Sequence, residues 1–450
     1  MSIIQWRFLV PYLMLGGIVW NCPGQAEEKN PTLSHFVRDA SDVETAITSE
    51  DFARATVVSA SALFEWRSYA DFPDLAHKIE LAYSTLPVQR IAEFLRFRRE
   101  WLEGNVAGVS WLDTGLLAKA LGRPHVAVDA FRKTLEDDYC CRLPFMHCLL
   151  ATALLDIHDV TGAISTFREA VHSASGDEST LFRVRQMYAD ELYDHGRLNE
   201  AVQGVLECQI SSYPLERAWA LGQLVVYSWY EKDVKGVSET LPLLATALKE
   251  ATPRADLDWQ RRRWKQTEQT LRYAGEALSG SPEAQMVMDV EVADIFFKTH
   301  RPERVVELLQ RWVNEYPMEN RDQWNDATAY WALCAHNCFY GALYHVGRVE
   351  EAVQGYKRML QMAGKSREFL VHANCWLGFH MRVTKKLDEA QKYFEEGLRL
   401  DERIDPGTVS PNGFERYYIY DGTVRPETRR MYVFHYSVLL ADQIGSGVTR

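Results

Sequence analysis

Between residues 111 and 400 apolar side chains recur three and four positions apart, the spacing of one face of an α-helix. Each apolar window is short and ends at a Gly, a Pro or a charged cluster, so the pattern predicts many short helices. No window of strand-type alternation exceeds five residues. One local arrangement repeats. A small residue opens a second helix and an aromatic one follows a turn later: Ala127 then Phe131, Ala163 then Phe167, Ala352 then Tyr356, Ala390 then Phe394. Weaker copies read Ala201 then Val205, Gly236 then Thr240, and Val305 then Leu309. Successive anchors lie 36, 38, 35, 69, 47 and 38 residues apart. Such variation predicts short insertions between helices, which repeat arrays tolerate.

Packing explains the pattern. A small anchor lets the preceding helix approach, and the aromatic on the same face fills the groove between hairpins. Gly122, Gly196 and Gly347 each stand five residues before an anchor, where the chain must reverse and Gly accepts a positive φ. Pro214 and Pro317 fall 13 and 12 residues after their anchors, where the second helix must end.

This arrangement resembles the tetratricopeptide repeat (TPR), a helix-turn-helix unit of about 34 residues. Trp111 and Gly115 match the aromatic and small positions of one first helix, Leu377 and Gly378 the paired Leu-Gly of another. Gly347, Ala352 and Tyr356 match turn, anchor and aromatic of a third. His158 and Lys385 replace the turn Gly, and Gly236 replaces the anchor Ala. The likeness spans residues 111–400. It implies an all-α, right-handed superhelical solenoid of stacked antiparallel helical hairpins. It also implies a concave groove, lined by first helices, that receives a peptide or helix. By register the groove candidates are Asp190, Asp194, Asp294, Lys298, Asn337, Tyr344 and Arg382. Chaperone-binding members carry Lys and Asn early in the first unit. Leu112 and Leu116 stand there in the Trp111 unit, which argues against that role.

The remaining chain is divided around this array. Residues 32–110 read as a divergent helical amino-terminal region, with apolar helical spacing over 37–67 and 73–103. The middle, 250–280, is irregular, with one longer helix over 256–278 that completes a degenerate repeat. Residues 401–450 read as a Gly- and Pro-rich loop to 425 and a capping helix over 426–443. Residues 1–26 contain the 13-residue apolar run FLVPYLMLGGIVW after Arg7. That is shorter than the ~20 residues of a spanning helix and reads as a signal peptide or hydrophobic targeting segment. It suggests export or membrane association through the amino terminus. Seven cysteines lie beyond residue 22, an odd number without a disulfide framework, which suggests a reducing intracellular compartment instead.

Composition narrows the function classes. Hydrophobic residues at 47% and charged residues at 25% exclude a largely disordered chain and a polytopic membrane protein. A net charge of −12 argues against nucleic acid as a partner of the whole surface. The local exception is the basic patch Arg261, Arg262, Arg263 and Lys265, interleaved with Trp259 and Trp264. No phosphate-binding loop, dinucleotide fingerprint, zincin, calcium loop or nucleophile elbow occurs, so no cofactor is expected. Cys334, His336 and Cys338, with His345, His372 and Cys375, have metal-ligand chemistry, but they sit in apolar helical windows and are expected to pack. An enzyme using His380 or His435 has no nucleophile, base and orienter to name together, so no catalytic residue is assigned. The expectation is a non-catalytic protein-protein interaction scaffold or adaptor. The alternatives are a structural subunit of a large membrane or organellar complex and an RNA-associated helical repeat protein. Neither the partner nor the oligomeric state follows from the sequence.

Overall fold

The computed structural model describes residues 41–43, 45–47, 49, 51–66, 72–84, 86, 90, 92–97, 108–253, 258–362 and 367–401. Regular structure among the described residues is helical throughout. Helices α1 (Phe52–Trp66) and α2 (Phe72–Ser84) precede the repeats. Hairpins follow: α3 (Gly108–Ala120) with α4 (Pro124–Leu135), α5 (Pro144–Asp156) with α6 (Val160–Ser173), α7 (Glu178–Asp194) with α8 (Leu198–Gln209), and α9 (Pro214–Tyr230) with α10 (Val234–Glu250). A single helix, α11 (Asp258–Leu278), interrupts the series. Three more hairpins complete it: α12 (Pro282–Lys298) with α13 (Pro302–Glu315), α14 (Asp326–His345) with α15 (Val349–Met362), and α16 (Arg367–Val383) with α17 (Leu387–Asp401). Second helices pack on their own first helix and on the next one, so the hairpins stack as a solenoid.

The reversal inside each hairpin is built the same way. Gly122, His158, Gly196, Lys232, His300, Gly347 and Lys385 all take a positive φ, between 55° and 83°. The turn requires left-handed backbone even where Gly is replaced, at a cost of about 1–2 kcal/mol for each non-Gly residue. Asp side chains ease the restart of two second helices: Asp159 accepts from the Gly162 amide and Asp233 from the Gly236 amide, both at 2.9 Å.

Five residues after each of these turns comes a fully buried small or branched side chain: Ala127, Ala163, Ala201, Val237, Val305, Ala352 and Ala390, all at 0% exposure. This corrects one anchor. Gly236 is half-buried and Val237 holds the core position, because the Lys232 turn sets the register one residue later. The aromatic partners Phe131, Phe167, Tyr356 and Phe394 are buried as expected. Phe131, Tyr356 and Phe394 lie against glycines of their own first helix, Gly115, Gly341 and Gly378, and Phe167 meets Tyr188 of the next hairpin. A Cβ at Gly115 would fall 2.2 Å from the Phe131 ring, and one at Gly378 would fall 2.9 Å from Phe394.

The predicted long helix exists as α11, and a Gly280 turn at positive φ joins it to α12. It packs on α9, α10 and α12, and α12 itself pairs with α13. At the amino-terminal end α1 and α2 cover α3. There the fully buried Asp113 accepts hydrogen bonds from Ser59 Oγ (3.0 Å) and Tyr83 OH (3.2 Å), joining the three helices. No helix among the described residues is long and apolar enough to cross a membrane. The hydrophobic segment 1–26, the loop from 402 to 425, the capping helix 426–443 and His435 lie outside the described residues.

Candidate ligand-binding face

First helices touch one another along the stack, as α5 with α7, α9 with α12, α12 with α14, and α14 with α16. They form one layer, and the seven groove candidates all lie in it. The structure divides them into two groups.

Asp190, Asp194, Asp294 and Lys298 meet where α7 faces α11 and α12. Asp190 accepts from Arg263 (2.6 Å) and Gln186 (3.1 Å). Asp194 pairs with Lys298 at 2.8 Å, and Asp294 accepts from the Tyr193 hydroxyl at 2.9 Å. The contact is close in backbone as well: a Cβ at Gly196, after α7, would fall 2.5 Å from the Lys298 carbonyl oxygen. These groups bind the chain to itself.

The basic patch is drawn into the same seam. Arg262 pairs with Asp74 of α2 at 3.0 Å, and Arg263 with Asp190. Trp259 is 1% exposed, with the Phe182 ring centroid 5.3 Å away and the Arg183 guanidinium over its face at 5.1 Å. Gln260 beside it is fully buried, donates to Ser179 Oγ (2.9 Å) and accepts from Tyr213 OH (3.1 Å). Lys265 is exposed, whereas Arg261 and Trp264 are half-buried. Helix α11 therefore lies on the first helices α7 and α9 in the region where the sequence places a ligand. Spacing within 256–278 carries no signal of this, because Asp74 is 188 residues from Arg262.

Electrostatics follow from this crowding of carboxylates. Burial would raise Asp74, but Arg183 and Arg262 outweigh it and hold the carboxyl below its usual range. Burial pushes Glu191 up to about 7, and Asp194 and Asp156 add to the rise against Lys119 and His195. Asp194 is also raised, by burial, despite Lys298. His195 Nε2 faces Asp156 Oδ1 (3.3 Å) and its Nδ1 faces the Glu191 carbonyl (2.8 Å). Both partners are acceptors, an arrangement that favours the protonated ring, and the hydrogen bond to Asp156 raises the imidazole pKa.

Tyr344 and Arg382 gather elsewhere, on α14 and α16, both against Phe379, and Asn337 lies further along α14. Tyr344 lies among Trp376 (5.2 Å between centroids), Phe379 (5.8 Å) and His380 (6.1 Å). The Arg382 guanidinium stands over Phe379 at 5.6 Å, and Trp376 stacks on Tyr356 at an interplanar angle of 9°. These rings are half-buried apart from Tyr356, which is in the core. Asn337 lies two helical turns before Tyr344 on the same face. Its Oδ1 and the His380 Nδ1 are buried without a hydrogen-bond partner. Burial lowers the His380 pKa. Trp376 and Phe379, which neighbour Tyr344, were not among the sequence candidates; their signal is the aromatic spacing 376, 379 and 380 along one first helix.

Of the residues with metal chemistry, His336, Cys334 and Cys375 are packed in the interior, whereas Cys338 and His372 are half-buried and His345 is exposed. His336 is buried and places Nε2 2.7 Å from the Tyr316 carbonyl and Nδ1 2.9 Å from the Tyr340 hydroxyl. One nitrogen donates and the other accepts, the arrangement of a neutral ring, and burial lowers its pKa. Cys334 and Cys375 are buried, and burial raises the Cys375 thiol.

No protein-family model and no curated protein matches the chain. Among solved structures, a human IFIT1 dimer with m7Gppp-AAAA is similar over 82% of this chain and 86% of that one, at 12% identity and a TM-score of 0.25. By its own stacked hairpins, the chain is a helical-repeat protein.

Proposed function

We propose that this chain is a non-catalytic interaction scaffold of TPR type that holds an extended peptide or helix of a partner protein on the α14–α16 face. The observation that carries the reading is the half-buried ring cluster of Tyr344, Trp376 and Phe379, brought together from two neighbouring first helices. Aromatic rings with one apolar face and one wet edge suit interfaces. The α7–α12 stretch of the same layer is a poorer host, since its charges are spent on internal pairs. The RNA-associated reading loses its main support for the same reason: Arg262 and Arg263 are held by Asp74 and Asp190.

The test is affinity purification of the full-length protein with quantitative identification of companions, run beside Tyr344→Ala and Asn337→Ala. Specific companions should be lost in both variants while far-UV circular dichroism stays unchanged. Companions retained by both variants would remove the α14–α16 face from the reading. Companions present at fixed stoichiometry and inseparable by salt would identify a permanent subunit instead of an adaptor.

A further inference from the structure

We infer that the α14–α16 face takes an acidic, extended peptide segment; this deepens the scaffold reading and rests on it. The charge around the rings is the reason. Lys357 and Lys386 both lie within Coulombic reach of His380, with Glu350 the opposing carboxylate there. Lys357 is half-buried on α15 and Lys386 is exposed at the α16–α17 turn. Neither makes an ion pair among the described residues. Arg382, over Phe379, adds a third cation. Two lysines and Arg382 against Glu350 make the surroundings of His380 locally positive, in a chain of net charge −12. Complementary charge steers encounter and sets register, while buried aromatics supply most of the affinity.

A peptide fits these features better than a nucleic acid does. A phosphate backbone needs a continuous cationic track. The arginines that would extend one, Arg262 and Arg263, are already paired. Glu350 would also face the phosphates, whereas an acidic peptide can place an uncharged residue opposite it.

The test uses the full-length protein and fluorescence anisotropy. The probes are a labelled peptide of Glu, Ser and Phe, the same peptide with Lys for Glu, and labelled oligouridine. The Glu peptide should bind, weaken with added salt, and lose about tenfold or more in affinity with Tyr344→Ala and with the double variant Lys357→Glu, Lys386→Glu. The double variant alters a half-exposed edge of the hairpins, so it keeps the inference testable if Tyr344→Ala loses helicity. Preference for the Lys peptide, tighter binding of oligouridine, or no Glu-peptide binding at low salt overturns the acidic-peptide assignment. If that happens while native companions still depend on Tyr344, the scaffold reading stands and only the charge assignment falls. If companions are also indifferent to Tyr344, both fall.

Discussion

Replacing Trp259 with Ala asks whether α11 is an integral part of the first-helix layer. The ring is 1% exposed and packs against Phe182, with Arg183 over its face. Burying an aromatic side chain removes about 150–250 Å² from water. At about 25 cal/mol per Å² that is about 4–6 kcal/mol, and a compact unfolded chain lowers it to about 3–5. Large-to-small substitutions in cores fall in the same range. The Trp259 indole N–H has no hydrogen-bond partner, so its removal orphans no acceptor, and the loss is one of packing and of the Arg183 contact over the ring. In a stacked array such a loss stays near its source. Peptide-resolved hydrogen exchange should therefore show faster exchange in α11 and in the facing parts of α7 and α9, with α14–α17 unchanged. Trp264→Ala, at a half-buried position, should give a smaller effect in the same helices. Exchange in α11 that is unchanged to within a factor of about five, roughly 1 kcal/mol, would refute the reasoning, as would loss of protection along the whole chain.

Other substitutions probe other joints. Asp289 receives Trp229 Nε1 (3.1 Å), Trp312 Nε1 (2.8 Å) and the half-exposed Arg311 (2.9 Å), so Asp289→Ala should cost about 2–5 kcal/mol by orphaning two indoles, and Asp289→Asn about half of that. Denaturation followed by tryptophan fluorescence measures both. Glu191 has a folded pKa near 7, above its ordinary 4.5, so its proton is held more tightly in the fold. Its contribution to stability is complete below the unfolded pKa and is lost as pH rises through about 7. Glu191→Gln should remove that fall, so that the wild-type minus variant difference in stability changes across this window, and a difference independent of pH would refute it. Gly196→Ala places a Cβ 2.5 Å from the Lys298 carbonyl at a φ of 71° and should lower thermal stability clearly more than Gly122→Ala. The latter meets nothing within 4 Å and bears only the backbone term of about 1–2 kcal/mol.

The hairpins were legible because their causes are local. Ala127 with Phe131 and Ala390 with Phe394 lie a turn apart on one helix, and Gly115 and Gly378 answer those rings from the helix just before. The Gly236 anchor was misplaced because its turn residue is Lys232, which has no Gly to mark the positive φ; His300 hides another turn in the same way. That Asn337, Tyr344 and Arg382 lie in the first-helix layer was legible by register, since first helices present equivalent positions to one layer. Trp376 and Phe379 joined it only when α16 was stacked on α14.

Periodicity by itself determined that this chain makes helices, that they pair, and which side chains fill the seam inside each pair, because those contacts span one or two turns or a single reversal. What tertiary structure alone decided was the use of the first-helix layer. Arg262 reaches Asp74 across 188 residues, Tyr193 reaches Asp294 across 101, and Arg263 reaches Asp190 across 73. No local spacing encodes such pairs. They arise because α11 and α12 come to rest against α7 and α9, which places opposite charges together in a partly desolvated seam where leaving either one alone is costly.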